Sequence, residues 1–158
     1  MKISHNWLTH FIELPETPET ISEILTQTGL EVESVSKIEK IKGGLKGLII
    51  GEVMSCIPHP NADKLKLTQV DVGSDDLISI VCGAANISAG QKVAVAPVNC
   101  LIYPIKGEPF QIKKAKIRGE VSQGMICAED EIGLGSSHEG IMVLTTDYAN
   151  GTPLNKIY

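Results

Sequence analysis

Pro58-His59-Pro60-Asn61-Ala62-Asp63-Lys64-Leu65 lies between two apolar runs, Leu48-Ile49-Ile50-Gly51-Glu52-Val53-Met54 before it and Leu65-Lys66-Leu67-Thr68-Gln69-Val70-Asp71-Val72-Gly73 after it. Neither proline has an N–H and each fixes φ, so the pair cannot occupy the middle of a sheet. They also bias Ile57 and His59 towards extended backbone. Asn61 and Asp63 can hydrogen-bond to nearby backbone and tighten a turn. The stretch reads as a rigid strand–loop–strand connection that presents His59, Asn61, Asp63 and Lys64.

Outward from this loop the pattern is β. Strands are expected at Leu48–Cys56, Leu65–Val72, Leu77–Cys82, Lys92–Ala96 and Phe110–Arg118, with a weaker one at Ile141–Leu144. Turn residues divide them at Gly73-Ser74-Asp75-Asp76, Gly83–Asn86, Ala89-Gly90 and Gly107-Glu108-Pro109, and no amphipathic helix of useful length intervenes. Serial short strands punctuated in this way indicate a small antiparallel barrel rather than a βαβ sheet. Gly51 suits a bulge or bend where a strand curls.

The N-terminal stretch is different. Ser4 caps a short helix placing Trp7, Leu8, Phe11 and Ile12 on one face, ended by Leu14-Pro15. Thr17 caps a second, with Pro18 at its first position, Glu19 near the positive dipole end, an Ile21/Ile24/Leu25 stripe and Gly29 as the closing residue. Leu30–Val35 reads as a short extended piece. The unit is too small to bury its own apolar face. Lys42-Gly43-Gly44-Leu45-Lys46-Gly47 marks a boundary after it.

At 158 residues and 42% hydrophobic content the chain can bury a core without disulfide or metal. Only 4% of residues are aromatic, so that core must be aliphatic. The net charge of −5 resides in residues 1–39, where Lys2 and Lys37 face seven glutamates. Residues 40–150 hold 11 basic and 12 acidic side chains, which leaves room for a local basic face. Cys56, Cys82, Cys100 and Cys127 have neither C-x-x-C spacing nor a nearby histidine at zinc-ligand spacing, and they read as small buried hydrophobes. There is no secretory signal and no run of the ~20 apolar residues that a membrane span needs. A reduced, cytoplasmic protein is expected.

For chemistry, His59 and Asp63 lack a positioned nucleophile and an orienting partner. Gly133-x-Gly135 lacks the third glycine of a dinucleotide fingerprint, and no P-loop, nucleophile elbow or H-E-x-x-H helix occurs. Gln111-Ile112-Lys113-Lys114-Ala115-Lys116-Ile117-Arg118 is more informative. On a strand, Lys114, Lys116 and Arg118 share one face. Cations ~6–7 Å apart can follow successive phosphates. The other reading is a strand edge protected by lysines.

Three stretches resemble the tRNA-binding OB-fold domain of aminoacyl-tRNA synthetases and free tRNA-binding proteins. They are Pro58–Leu65 with Val70-Asp71-Val72-Gly73, then Ile80-Val81-Cys82-Gly83-Ala84-Ala85-Asn86, then Ile117-Arg118-Gly119 with Ser122-Gln123-Gly124-Met125. The resemblance implies a mainly β chain with a small α appendage, built on a five-stranded OB-fold barrel that binds tRNA by shape and backbone. Met1-Lys2-Ile3-Ser4, Asn6-Trp7-Leu8 and Thr28-Gly29-Leu30-Glu31-Val32-Glu33 are similar to the start of the bacterial phenylalanine–tRNA ligase β-subunit family. In that family the OB domain is inserted in a small N-terminal α/β domain. On this resemblance residues 1–39 are the first half of the small domain, 40–150 the OB domain and 151–158 the start of the resumed half, within a longer polypeptide. RNA-binding residues are then expected at Asn61, Lys64, Lys66, Lys114, Lys116, Arg118 and Ser122. No catalytic residue, metal site or cofactor is expected within these residues. The full enzyme is implied to use ATP and magnesium, and to pair with an α subunit in an α2β2 assembly away from membranes. Two other readings stay open: a free-standing tRNA-binding protein or chaperone, and a protein-interaction barrel with little RNA contact. A barrel without net positive charge and almost without aromatics implies weak, salt-dependent RNA affinity.

Overall fold

In the computed structural model, which describes residues 1–158, the chain divides into two units, Met1–Ile38 and Glu39–Tyr158. The first follows its capping signals. Ser4 Oγ accepts the Trp7 N–H at 3.3 Å at the head of α1 (His5–Leu8). Thr17 Oγ1 accepts the Thr20 N–H at 3.3 Å at the head of α2 (Pro18–Gln27). Gly29, at φ +94°, ends α2: its N–H reaches Thr26 O at 3.1 Å and the Leu30 N–H reaches Leu25 O at 2.9 Å, the paired bonds of a Schellman cap. Helix α1 is shorter than its apolar spacing suggests, and Leu30–Val35 forms no ladder. The Trp7 and Phe11 rings pack in a tilted arrangement with centroids 4.7 Å apart, yet neither helix buries a residue.

The second unit is the barrel. Strand β1 (Ile49–His59) turns through Pro60-Asn61 into β2 (Ala62–Asp71), and β3 (Ile78–Cys82) completes an antiparallel meander. β4 (Lys92–Pro97) pairs with the other edge of β1. The chain then leaves the sheet through β5 (Leu101–Ile102) paired with β6 (Phe110–Gln111), and through the hairpin β7 (Ala115–Ile117)–β8 (Glu120–Ser122). It returns as β9 (Gly124–Ile126) on β4, whose first residues also pair with β10 (Val143–Leu144). The remaining seam, between β3 and the start of β9, is bridged by side chains and one main-chain bond. Gln123 N–H donates to Ser79 O at 2.8 Å, and Val81 N–H donates to Ser122 Oγ at 3.1 Å. A mostly β, nearly closed antiparallel barrel results, as expected.

Two details of the barrel differ from the sequence reading. Phe110–Arg118 is not one strand, because Ile112 N–H bonds back to Cys100 O and the pairing partners change between β6 and β7. The bulge in β1 falls at Met54, the residue skipped between the Val53–Val70 and Ser55–Gln69 pairs, rather than at Gly51. Gly51 stays in register, and a Cβ there would stand 2.7 Å from Val95 Cγ2 and 2.8 Å from Val70 Cγ1. It lets β1 cross the barrel interior closely.

The core is aliphatic, as the composition requires. Val93 and Val95 of β4 face Val53, Val70, Ile80, Ile87, Ile126 and Ile141 inside the barrel. The alternate residues Ala94 and Ala96 face Leu48, Ile50, Ile102, Ile132, Leu144 and Leu154 on the outside. β4 is therefore buried on both faces, the period-two consequence of a strand with a layer on each side. Residues 151–154 run beside β1, with Ile50 N–H on Thr152 O and Leu154 N–H on Leu48 O, each at 2.9 Å. All four cysteines are free, three of them buried, and burial raises the pKa of Cys82, Cys100 and Cys127. No helix is long and apolar enough to cross a membrane.

Candidate nucleic-acid interface

The Pro58–Leu65 stretch makes a tighter connection than its prolines suggest. Strand β1 runs through Pro58 to His59, two residues turn, and β2 begins at Ala62. Pro58 pairs with Lys66 while His59 pairs with Ala62, so Asp63, Lys64 and Leu65 bulge from the ladder. Lys64 is exposed on that bulge. His59 is only 5% exposed. Its Nδ1 accepts the Asn61 N–H at 3.0 Å and its Nε2 lies 3.3 Å from Ile117 O. Asn61 Nδ2 donates to Arg118 O at 3.5 Å. The β1–β2 turn and the β7–β8 hairpin, distant in sequence, meet here.

That hairpin is the basic element. The connection between β4 and β9, residues 98–123, carries Lys106, Lys113, Lys114, Lys116 and Arg118 against Glu108 and Glu120. All five cations are exposed. Lys114 precedes β7, Lys116 lies on it, and Arg118 occupies the turn, so the three do not form the strand row that alternation predicts. They share one short hairpin for another reason. Ile117 pairs with Glu120, leaving Arg118 and Gly119 as a two-residue turn with φ of +52° and +105°. Both central residues of a type I′ hairpin turn need positive φ. Lys113 and Lys106, which the alternation argument passed over, belong to the same exposed stretch; the charge balance of the connection was the signal for them.

Two expected residues are placed differently. Ser122 is 3% exposed, and its hydroxyl accepts from Val81 N–H and donates to Gly124 O at 3.0 Å. It is buried in the barrel seam and bridges it, rather than lying on the exposed face. Lys66 Nζ donates to Ala85 O at 3.2 Å and Ile87 O at 2.9 Å, tying β2 to the loop after β3. Asn61, Lys64, Lys114, Lys116 and Arg118 stay exposed. A small recess of about 170 Å³ lies beside them, lined by Leu67, Thr68, Gln69, Ser79, Ile80 and the Gly119–Val121 limb of the hairpin. In five-stranded barrels of this topology, the face of strands 2 and 3 and the loops joining strands 1–2 and 4–5 are where oligonucleotides bind. The β1–β2 turn and the 98–123 connection are those loops.

Aromatic stacking is scarce here. Phe110 is exposed and Tyr103 half-buried beside Gly43. No group of three or more His, Cys, Asp or Glu side chains could hold a metal ion. His138, outside this face, lies 3.0 Å from Asp130, whose hydrogen bond and charge raise its pKa.

Comparison with known proteins identifies the family of the barrel. Residues 48–153 match the family described as "Putative tRNA binding domain". Over all 158 residues the chain is 50% identical to the phenylalanine–tRNA ligase beta subunit of Bacteroides fragilis, covering 19% of that protein. It is 45% identical over 98% of its length to the same subunit of Pectobacterium atrosepticum, covering 18% of it, and 46% identical over 98% to that of Chlorobaculum tepidum, covering 19%. The chain thus spans about a fifth of the curated relatives it matches. With a matched segment that coincides with the barrel, the chain belongs to the tRNA-binding domain family.

Proposed function

We propose that the barrel holds tRNA by its backbone at the end where the β1–β2 turn meets the β7–β8 hairpin. Lys114, Lys116 and Arg118 face phosphates there, with Lys113, Lys64 and Asn61 as neighbours. The observation that carries this reading is the concentration of five exposed cations on one connection of a unit whose remaining residues are net acidic. A cationic surface without stacking aromatics recognises charge and shape rather than bases. It does so weakly and with strong salt dependence.

The relatives support a wider setting for this barrel. The chain serves as the tRNA-binding module of a phenylalanine–tRNA ligase β subunit in the cytoplasm, supporting attachment of phenylalanine to its tRNA by an α2β2 enzyme. It performs no catalysis itself, and ATP and magnesium are used elsewhere in that assembly. Residues 1–39 and 151–158 are the two sides of a domain interrupted by the barrel of residues 40–150. Near 50% identity that extends through the acidic N-terminal unit favours this setting over a free-standing tRNA-binding protein.

A filter-binding titration with tRNA across salt concentration tests the interface. Each phosphate contact removed should lower the log–log salt slope by about 0.7–0.9. Lys114, Lys116 and Arg118 changed together to Ala should weaken binding uniformly across tRNA species. Unchanged affinity and slope would overturn the assignment of this face. Absence of tRNA binding by the unaltered protein at low salt would favour a protein-interaction barrel.

A further inference from the structure

His59 is the buried histidine of the barrel unit, and both its ring nitrogens are engaged by main chain. The Asn61 N–H is a donor, so Nδ1 must be the acceptor, and the ring proton then resides on Nε2. From there it donates to Ile117 O at 3.3 Å. The two bonds differ in reach. The one to Asn61 closes a local turn two residues long, whereas the one to Ile117 spans 58 residues and joins two loops. The hairpin it reaches has little else to fix its tip. β7 and β8 pair only with each other, and Ser122 anchors the hairpin at its far end, next to β3. At the turn end, the bonds that leave the hairpin are those from His59 to Ile117 O and from Asn61 Nδ2 to Arg118 O. The latter is at the long limit of a hydrogen bond.

We infer that His59 is a positioning residue for tRNA: its Nε2–H latches the Ile117 carbonyl and so holds the hairpin tip, with Lys116 and Arg118, against the β1–β2 turn. This rests on the tRNA contact face proposed above. The latch pre-orders cations that a free hairpin would have to immobilise on binding. Because the acceptor is a backbone carbonyl, the residue that matters is the histidine and not the identity of residue 117.

Three variants of the whole chain separate the two bonds. In His59→Gln the amide nitrogen reaches the position of Nε2 and can donate to Ile117 O. In His59→Asn the amide oxygen reaches the position of Nδ1, keeping the Asn61 bond but falling short of Ile117. His59→Ala keeps neither. Three readouts apply: tRNA affinity at fixed salt, amide exchange of residues 113–119 without RNA, and thermal midpoint. The expected result is affinity within about threefold of wild type for Gln, and a loss of about five- to tenfold for Asn and Ala, the scale of one net hydrogen bond. Exchange across 113–119 should accelerate in Asn and Ala and stay slow in Gln. Equal behaviour of Gln and Asn would overturn the latch, as would unaltered hairpin exchange in both. If Ala fails to fold, the Gln–Asn pair compared at similar midpoints decides. The exchange readout judges the latch without RNA, so a wild-type protein that binds no tRNA would refute the contact face alone.

Discussion

Replacing Arg118 by glycine should make the barrel more stable and its RNA binding weaker, two effects that usually move together. Arg118 is held at φ +52° in the β7–β8 turn. A side chain in the left-handed region costs about 1–2 kcal/mol, because Cβ crowds the following carbonyl. Glycine removes that cost but gains unfolded-state freedom worth about 0.5–1 kcal/mol. The net gain is about 0.5–1 kcal/mol. Arg118 is exposed, so little packing is lost with its side chain. For a unit of this size the gain corresponds to a rise in midpoint of roughly 2–4 °C. Thermal and urea melts should show it, with the urea slope unchanged. Filter binding should show a log–log salt slope shallower by about 0.7–0.9. A lowered midpoint would refute the claim that the turn is strained at residue 118. An unchanged slope would refute the claim that its guanidinium meets a phosphate.

Two further substitutions probe the barrel. Asn150 Nδ2 donates to Asp71 Oδ2 at 2.8 Å and to Glu52 Oε2 at 3.2 Å, holding two carboxylates together. That bond, followed by the Gly73 N–H, lowers the Asp71 pKa. A carboxyl with a depressed folded pKa contributes stability above its unfolded value of about 3.9, and loses it as pH falls through the folded value. Asn150→Ala should therefore cost about 1–2 kcal/mol near neutrality, and the difference from wild type should shrink below about pH 4, as followed by urea melts at both pH values. Equal differences at both would exclude Asp71 as the group involved. Gly51→Ala should cost about 1–3 kcal/mol by overpacking against Val70 and Val95, read as a lower urea midpoint. A neutral outcome would mean that β1 can move away at no cost.

Much of this molecule is legible where the signals are local. Thr17, Pro18 and Gly29 delimit α2 because each residue type satisfies a backbone need within one turn of itself. The meander was readable because β1, β2 and β3 alternate or run apolar between clear turns. Phe110–Arg118 misleads because Ala115 and Ile117 alternate with cations, while its division is imposed by Leu101–Ile102 and Glu120–Ser122, partners chosen in three dimensions. Arg-Gly is also a less familiar type I′ pair than Asn-Gly, so the turn at Arg118 was hidden. Ser122, beside turn glycines, reads as exposed; its hydroxyl stands in for a missing ladder bond, a role defined only once β3 and β9 are neighbours. Lys66 follows the same logic, since the carbonyls that capture it belong to a loop about twenty residues on.

The long connection between β4 and β9 also bears on how the barrel opens. The stretch between β2 and β3 is six residues, 72–77, whereas β9 reaches β4 only after residues 98–123. By chain entropy alone, closing a loop about four times longer costs ~1 kcal/mol more. The meander can therefore assemble first, and β9 is the seam that shuts last and frays first. The cationic hairpin rides on the strip of chain that leads into this seam. RNA gripping the hairpin would also bolt the seam shut, because β9 could not peel from β4 without disturbing the RNA contacts. Binding and barrel integrity are thereby joined through one stretch of backbone.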